Sequence, residues 1–263
     1  MTSSELTAQR RSQLHEAAEL CLSSRRDGKW LTELPEAQRP TSQQEIYFIQ
    51  DSIAEEFGEL TGWKIGAATP ESEPVYGPMP RVLGYGESGT TLSKNSHRHL
   101  RGVEAEIAFQ LKLDLPARSI PYTRLEILQA IGSCHPAIEV LESAFSDPDN
   151  SDKNSVNADL QLNGGFVYGP AVEHWAEISI SDEQVSMIVD GSVRVEGKGS
   201  VTAGPDLVRL LMYLANEGSS RTGGLKASQW ITTGSWTGKT LAISGSEAVA
   251  KFANFGTCEV RFA

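Results

Sequence analysis

The sequence is poor in cysteine, in long apolar runs and in basic residues. Only Cys21, Cys134 and Cys258 occur among 263 residues, far apart and without a Cys-x-x-Cys pair. This number and spacing argue against a disulfide framework and against a structural zinc site. A cysteine nucleophile is an open alternative, but burial is the commoner explanation for an isolated cysteine.

Charge and hydropathy limit the partners that the protein can have. Asp and Glu outnumber Lys and Arg by 34 to 23, which gives a net charge of −11 and disfavours a nucleic-acid partner. No apolar run is long enough to span a bilayer, and the first residues lack the apolar stretch of a secretory signal. We therefore expect a cytoplasmic protein without a membrane or nucleic-acid partner. A small anionic substrate stays compatible, because a local cation can reverse the field inside a pocket.

The N-terminal part of the chain has helical periodicity. Apolar residues at Leu14, Ala17 and Cys21 follow the spacing of one helix, which Gly28 would end. A second helix is predicted to begin after Thr41 or Ser42, with Glu45 placed for a capping box. Both helices precede Gly62, so we predict a helical cap region at 1–62.

Beyond Gly62, short apolar stretches alternate with Gly, Pro, Ser and Asn clusters. This pattern is typical of many short strands. Together with few helices, it predicts an α+β fold whose catalytic domain, 63–263, is a mixed β-barrel or roll. The predicted strands are 63–67, 90–92, 103–113, 137–141, 165–168, 185–189, 229–233, 248–252 and 258–262, and the predicted helices are 121–131 and 205–216.

Two glutamates occupy alternate positions of one apolar strand. Strand side chains alternate between faces, so Glu104 and Glu106 share one face. The other face is apolar and carries Val103, Ala105, Ile107, Phe109 and Leu111. Neighbouring carboxylates repel each other unless a positive charge lies between them. A hard cation such as Mg²⁺ or Mn²⁺ would supply that charge. The alternative is a strand with one solvated face, which needs no metal.

Other residues could complete such a site. Lys64 lies in an apolar strand between two glycines, which permit close approach of a ligand, and Glu139 is the one carboxylate of a short apolar strand. The glycine-rich turns at 164–170 and 232–238 could offer backbone N–H groups to an anion. A basic stretch that includes Lys94, His97 and Arg98 is interpreted as a lid or as a solvated loop. An edge lysine and ordinary turns are the plainer alternatives.

Five segments occur in an order that resembles the 2-keto-4-pentenoate hydratase and 4-oxalocrotonate decarboxylase family, within the fumarylacetoacetate hydrolase superfamily. They read Gly-Trp-Lys-Ile-Gly at 62–66, Val-Glu-Ala-Glu-Ile-Ala-Phe at 103–109, Ala-Ile-Glu-Val at 137–140, Gly-Gly-Phe-Val-Tyr-Gly-Pro at 164–170 and Thr-Thr-Gly at 232–234. The resemblance covers nearly the whole chain from about residue 31. It implies a helical cap and a distorted mixed-sheet barrel, a bound Mg²⁺ or Mn²⁺, and homo-oligomers.

The resemblance also implies roles for single residues. Glu104, Glu106 and Glu139 match the family's three acidic metal ligands, and Lys64 matches its active-site lysine. The sequence departs from the hydratases at Val75, where they often carry aspartate. It departs again at 160–163, where Leu-Gln-Leu-Asn replaces a run containing Asn and Ser. These departures affect the expected reaction more than the expected substrate class.

The sequence thus predicts a metal-dependent lyase that adds water to a short 2-hydroxydienoate or 2-oxo-4-enoate. The cation would act as a Lewis acid toward the 2-oxo acid, and Lys64 would anchor its carboxylate or transfer a proton. Backbone donors around four residues would complete the substrate site. These residues are Gly165, Phe166, Thr233 and Gly234.

Three alternatives stay open at this point. Decarboxylation of a 2-oxo-3-enedioate uses the same enolate and needs no activated water. Cleavage of an acylpyruvate carbon–carbon bond needs a general base, for which His15 with Glu19 has the helical spacing but lies very early in the chain. A binding protein without catalysis could use the same fold, since fold does not determine function.

Overall fold

The computed structural model describes residues 6–93, 99–200 and 204–263. The helices are α1 (Ala8–Asp27), α2 (Gln43–Phe57), α3 (Arg124–Ala130), α4 (Lys153–Ala158), α5 (Val208–Asn216) and α6 (Ser219–Thr222). The strands are β1 (Leu60–Gly66), β2 (Val75–Pro80), β3 (Tyr85–Glu87), β4 (Thr90–Leu92), β5 (Gly102–Leu111), β6 (Leu115–Pro116), β7 (Ile131–Leu141), β8 (Asn163–Tyr168), β9 (Gln184–Val189), β10 (Ser192–Lys198), β11 (Gly224–Leu225), β12 (Trp230–Thr232), β13 (Thr240–Leu241), β14 (Glu247–Phe252) and β15 (Gly256–Phe262). Within these ranges, no helix is both long and apolar enough to cross a bilayer.

The two N-terminal helices begin and end where their sequences provide caps. The Thr7 side chain accepts a hydrogen bond from the N–H of Arg10 at the start of α1, and Gly28 ends that helix in the left-handed conformation. Ser42 caps α2 as predicted. The predicted capping box is only half formed, because Glu45 accepts from the backbone N–H of Thr41, one residue before the cap.

A hydrophobic cluster holds these helices to the rest of the chain. Leu14 and Cys21 of α1 and Ile49 of α2 pack with Phe145 and Leu160, which come from the segments around α4. The core of the helical region is therefore completed by residues far along the sequence. The division of the chain at residue 62 stays a prediction.

The central layer is a mixed sheet of eight strands. Its strands follow the order β2-β1-β12-β5-β7-β8-β3, and β13 pairs with β5 beside this path. The pairs β1–β12 and β3–β8 are parallel, and the others are antiparallel. The predicted α+β fold with a mixed sheet is confirmed. Among the described residues the pairing runs from one edge strand to the other, as an open roll and not a closed barrel.

The two faces of this sheet differ in character. On β5, the predicted apolar face is confirmed, since its five residues are buried in the main core with Ile138, Val140 and Ile231 of neighbouring strands. A second sheet, in the order β10-β9-β14-β15-β4, contributes Met187, Ala248 and Val260 to the same core. The opposite face of the central sheet carries Glu104, Glu106 and a small aromatic cluster.

Close strand contact explains one of the glycines beside Lys64. A Cβ atom on Gly62 would lie 1.9 Å from the carbonyl oxygen of Trp230, so β1 and β12 could not pair as they do with a larger residue there. Gly62 thus serves the packing of two strands, and not the approach of a ligand as the sequence suggested.

Several strands differ from the predicted ones, and two of these differences involve proline. Strand β2, which contains Pro78 and Pro80, was not predicted, because prolines in a short run favour a turn over a strand. Strand β7 begins at Ile131, six residues before the predicted start, and runs through Gly132 and Pro136.

Candidate metal centre

The register of β5 and β7 brings the three predicted carboxylates together. Glu104 lies directly opposite Glu139 in the antiparallel ladder, so their side chains share one face of the sheet. Glu106 is two residues farther along β5 on that same face. Oxygen atoms of the three carboxylates all lie within 4.8 Å of one another.

Glu106 is fixed by donors from the segment at the end of β12. The Thr232 hydroxyl donates to its Oε2 in a short hydrogen bond. The backbone N–H of Gly234 donates to the same oxygen over 3.1 Å. Thr232 also lies beside Lys64 in the parallel β1–β12 ladder, so the strand that carries Lys64 is a neighbour of the strand that holds Glu106 in place.

Glu139 is held on one of its oxygens and open on the other. Its Oε1 accepts from Lys64 Nζ over 2.5 Å and from Asn163 Nδ2 over 3.0 Å. Its Oε2 is buried and has no hydrogen-bond partner among the described residues. A buried carboxylate oxygen without a donor is costly, so this atom is a natural ligand for a cation.

The charges around the site shift the acidity of its members. Burial raises the pKa of Glu104 to about 7; the carboxylate of Glu139 adds to the rise and Lys64 opposes it. Burial, together with the two neighbouring carboxylates, holds the pKa of Glu106 well above its usual range. Burial alone would lower the pKa of Lys64, but the three carboxylates raise it, so the lysine stays charged. The site therefore has more negative charge than one lysine balances.

A divalent cation fits these residues. All the candidate ligand atoms are carboxylate oxygens, which suit Mg²⁺, Mn²⁺ or Ca²⁺ better than the nitrogen and sulfur ligands typical of zinc. The buried, unpartnered oxygen of Glu139 lies on a carboxylate that has two further carboxylates beside it, and a cation would supply the missing partner. Glu104, Glu106 and Glu139 would hold the cation, each through at least one oxygen.

The four residues predicted to bind substrate lie around this group. Phe166 is opposite Glu139 in the β7–β8 ladder, and its buried ring packs against Trp230; Gly165 precedes it. The N–H and hydroxyl of Thr233 both donate to the carbonyl of Ile107. The N–H of Gly234 donates to Glu106, so the 232–234 turn is hydrogen-bonded to two residues of β5. A direct role of these four residues in substrate binding stays a prediction.

Lys94, His97 and Arg98 of the predicted lid lie outside the described residues. Two histidines among the described residues are engaged. His99 stacks on Trp30 and its Nε2 contacts the carbonyl of Phe145 over 2.9 Å. His135, on the carboxylate face, contacts the carbonyl of Gly169 through Nδ1 and the Ser133 hydroxyl through Nε2.

The cysteines are all buried, as the commoner interpretation expected. Burial raises the pKa of the Cys258 thiol to about 12 and raises those of Cys21 and Cys134 as well. Such thiols are poorly reactive, because the thiolate is the nucleophilic form.

Sequence reasoning missed several residues that contact the site. Thr232 and Asn163 each bond a candidate ligand, and the backbone carbonyl of Gln161 accepts from Lys64 Nζ over 2.9 Å. Gln161 lies in a turn with Leu160 and Leu162, and all three have positive φ, at 51°, 55° and 66° respectively. Left-handed backbone costs about 1–2 kcal/mol for each residue that bears a side chain. No sequence signal indicated this turn.

Known structures share this arrangement of the chain. Two structures of 4-oxalocrotonate decarboxylase from Pseudomonas putida G7 match 99% of this chain and 100% of theirs, with TM-scores of 0.80 and 0.81 at 22% sequence identity. The chain has the fold of 4-oxalocrotonate decarboxylase. One decarboxylase structure is complexed with calcium and acetate, and the other with magnesium and adipate.

A more distant structure shows how far the decarboxylase fold extends. The 2-hydroxyhepta-2,4-diene-1,7-dioate isomerase from Mycobacterium marinum matches 78% of this chain and 75% of its own, with a TM-score of 0.56 and 14% identity. No family model and no curated protein matches the sequence. At these identities the likeness to the decarboxylase establishes the fold, and the chemistry must be argued from the site.

Proposed function

We propose that this chain is a divalent-metal-dependent lyase that decarboxylates a short 2-oxo-3-enedioate. One observation carries the proposal: three carboxylates, two of them buried, converge within 4.8 Å of one another. One buried oxygen of Glu139 has no partner among the described residues, and a charged lysine lies beside this group. The fold is that of a decarboxylase solved with magnesium and a dicarboxylate. The order of the sequence motifs supports membership of the hydratase and decarboxylase family.

The proposed reaction breaks the bond between the distal carboxylate and the adjacent carbon. Its electron pair moves through the conjugated chain to the 2-oxo oxygen, carbon dioxide leaves, and a proton gives the 2-hydroxydienoate. A bound Mg²⁺ or Mn²⁺ would supply Lewis acidity toward the 2-oxo oxygen. Glu104, Glu106 and Glu139 would hold that cation at the sheet face.

Lys64 is placed to bind the substrate. An ammonium group has three donors, and Glu139 and the Gln161 carbonyl take two of them. The third donor is available for a carboxylate oxygen of the substrate or for proton transfer. Because the Lys64 side chain is only 14% exposed, a hydrogen bond there competes little with water.

Decarboxylation is favoured over water addition and over carbon–carbon hydrolysis because of what surrounds the site. Both latter reactions need a general base for water. The described histidine on this face, His135, has both ring nitrogens engaged, and burial lowers its pKa. Val75, where the hydratases often have aspartate, offers no proton acceptor. His15 of the alternative pair contacts Ser52 and Phe48 of α2 instead.

Product analysis by mass spectrometry tests the proposal. With Mg²⁺ and a 2-oxo-3-hexenedioate, the product should be lighter than the substrate by the mass of one carbon dioxide. EDTA or Glu106→Gln should abolish formation of this product. Glu87→Gln is the control, since it removes an exposed carboxylate from the edge strand β3. A product that has gained water, or cleavage into two acids, would replace decarboxylation by hydration or hydrolysis. Metal binding without turnover on any such acid would indicate a binding protein.

A further inference from the structure

A buried arginine from the N-terminal helix contacts the segments that flank the candidate site. Arg25 lies in the last turn of α1, and its Nε donates to Asp159 Oδ1 over 2.6 Å. Nη1 donates to the carbonyl of Asn163, and Nη2 to that of Glu142, each over 3.1 Å. The side chain is 5% exposed and that of Asp159 is 0% exposed. One guanidinium thus joins α1 to the end of β7 and to the start of β8.

The turn between Asp159 and Asn163 faces the candidate site. Its central residue, Gln161, offers its carbonyl to Lys64, and Asn163 donates its side-chain amide to Glu139. Arg25 holds the residues at both ends of this turn. The left-handed backbone at Leu160–Leu162 is unfavourable for residues that bear a side chain, so the turn depends on contacts from outside it.

We propose that Arg25 is a positioning residue for the metal centre. By holding both ends of the left-handed turn, it fixes the Gln161 carbonyl against Lys64 and the Asn163 amide against Glu139. The open oxygen of Glu139 is thereby kept turned toward the other two carboxylates. The inference rests on the proposed function, because it assumes that these carboxylates bind a cation.

The same helix provides a matched control. Arg10 of α1 also pairs with a carboxylate, that of Glu45, over 2.7 Å, and also donates to two backbone carbonyls. It contacts the segment between α1 and α2, and none of its bonds reaches the turn. Loss of Arg10 therefore removes a similar set of hydrogen bonds without disturbing the proposed positioning.

The test is the affinity for Mg²⁺, measured by calorimetry on the full chain. Arg25→Met should weaken binding by about 10-fold or more, the range found when partners that orient metal ligands are removed. Arg10→Met should leave the affinity unchanged. Equal affinity in wild type and Arg25→Met, with wild-type turnover intact, would overturn the inference and leave the proposed function standing. A wild-type chain that binds no Mg²⁺ would overturn both.

A second variant serves if Arg25→Met does not fold. Arg25→Lys keeps a positive charge beside Asp159, but a single ammonium does not reproduce the planar guanidinium that bonds both ends of the turn. A positioning role predicts weaker Mg²⁺ binding by Arg25→Lys, measured well below its melting temperature. If Arg25→Lys binds Mg²⁺ as tightly as wild type, the guanidinium's hold on both ends of the turn is not needed and the inference is wrong.

Discussion

Replacement of Lys64 by methionine should destabilise the metal-free protein far more than the metal-bound protein. In the structure Lys64 is the partner of Glu139, whose side chain is 1% exposed. Breaking a buried ion pair costs about 3–5 kcal/mol, because the remaining charge is left uncompensated. Since Lys64 is 14% exposed, we take the lower end, about 3 kcal/mol, which corresponds to a fall in melting temperature of roughly 6–12 °C.

The assay is thermal unfolding of wild type and Lys64→Met at pH 8, with EDTA and with saturating Mg²⁺. A bound cation supplies the positive charge that the mutation removes. The fall in melting temperature caused by Lys64→Met should therefore be less than half as large with Mg²⁺ as with EDTA. Lys198→Met is the control, because Lys198 forms an exposed ion pair with Asp182 and its removal should change neither value appreciably. Equal losses with and without Mg²⁺ would refute the reasoning that the cation and Lys64 neutralise the same carboxylates.

Two further predictions follow from the same geometry. Because the pKa of Glu104 is raised from 4.5 to about 7, the native state binds more protons than the unfolded chain between these values, and the metal-free free energy of unfolding should fall as pH rises through this window. Denaturant titrations should show this slope with EDTA and lose it with Mg²⁺; a rise with pH in EDTA would contradict the assignment. Phe166→Ala should lower the free energy of unfolding by about 3–5 kcal/mol, since it empties a buried aromatic site, and a loss near zero would mean that the ring is not packed as described.

The alternation of residues along single strands was predictable, and the pairing between strands was not. The sequence of β5 showed which side chains share a face, and the structure confirms that Glu104 and Glu106 lie opposite the apolar core. Whether Glu139 meets them depends on the register of β7, which is set by many backbone hydrogen bonds and side-chain contacts across the ladder. Sequence spacing carries little of this information without a known relative.

Arg25 shows a signal that could have been used. The buried face of α1 carries Leu14, Ala17, Ala18 and Cys21, and Arg25 continues this spacing four residues later. An arginine in register with an apolar face is rarely buried without a partner, so it predicts a buried carboxylate elsewhere in the chain. That partner is Asp159, which lies 134 residues away in the sequence, and only the fold reveals its identity.

A calorimetric titration of the wild-type protein and Glu139→Gln with Mg²⁺ tests the central claim most directly. The three converging carboxylates predict that the wild type binds a single Mg²⁺ per chain. Removal of a hydrogen-bond partner of a metal ligand lowers metal affinity by about 10–100-fold. Loss of a ligand itself should lower the affinity further, so Glu139→Gln should bind Mg²⁺ too weakly to saturate. An absence of binding in the wild type, or equal binding in both proteins, would contradict the account.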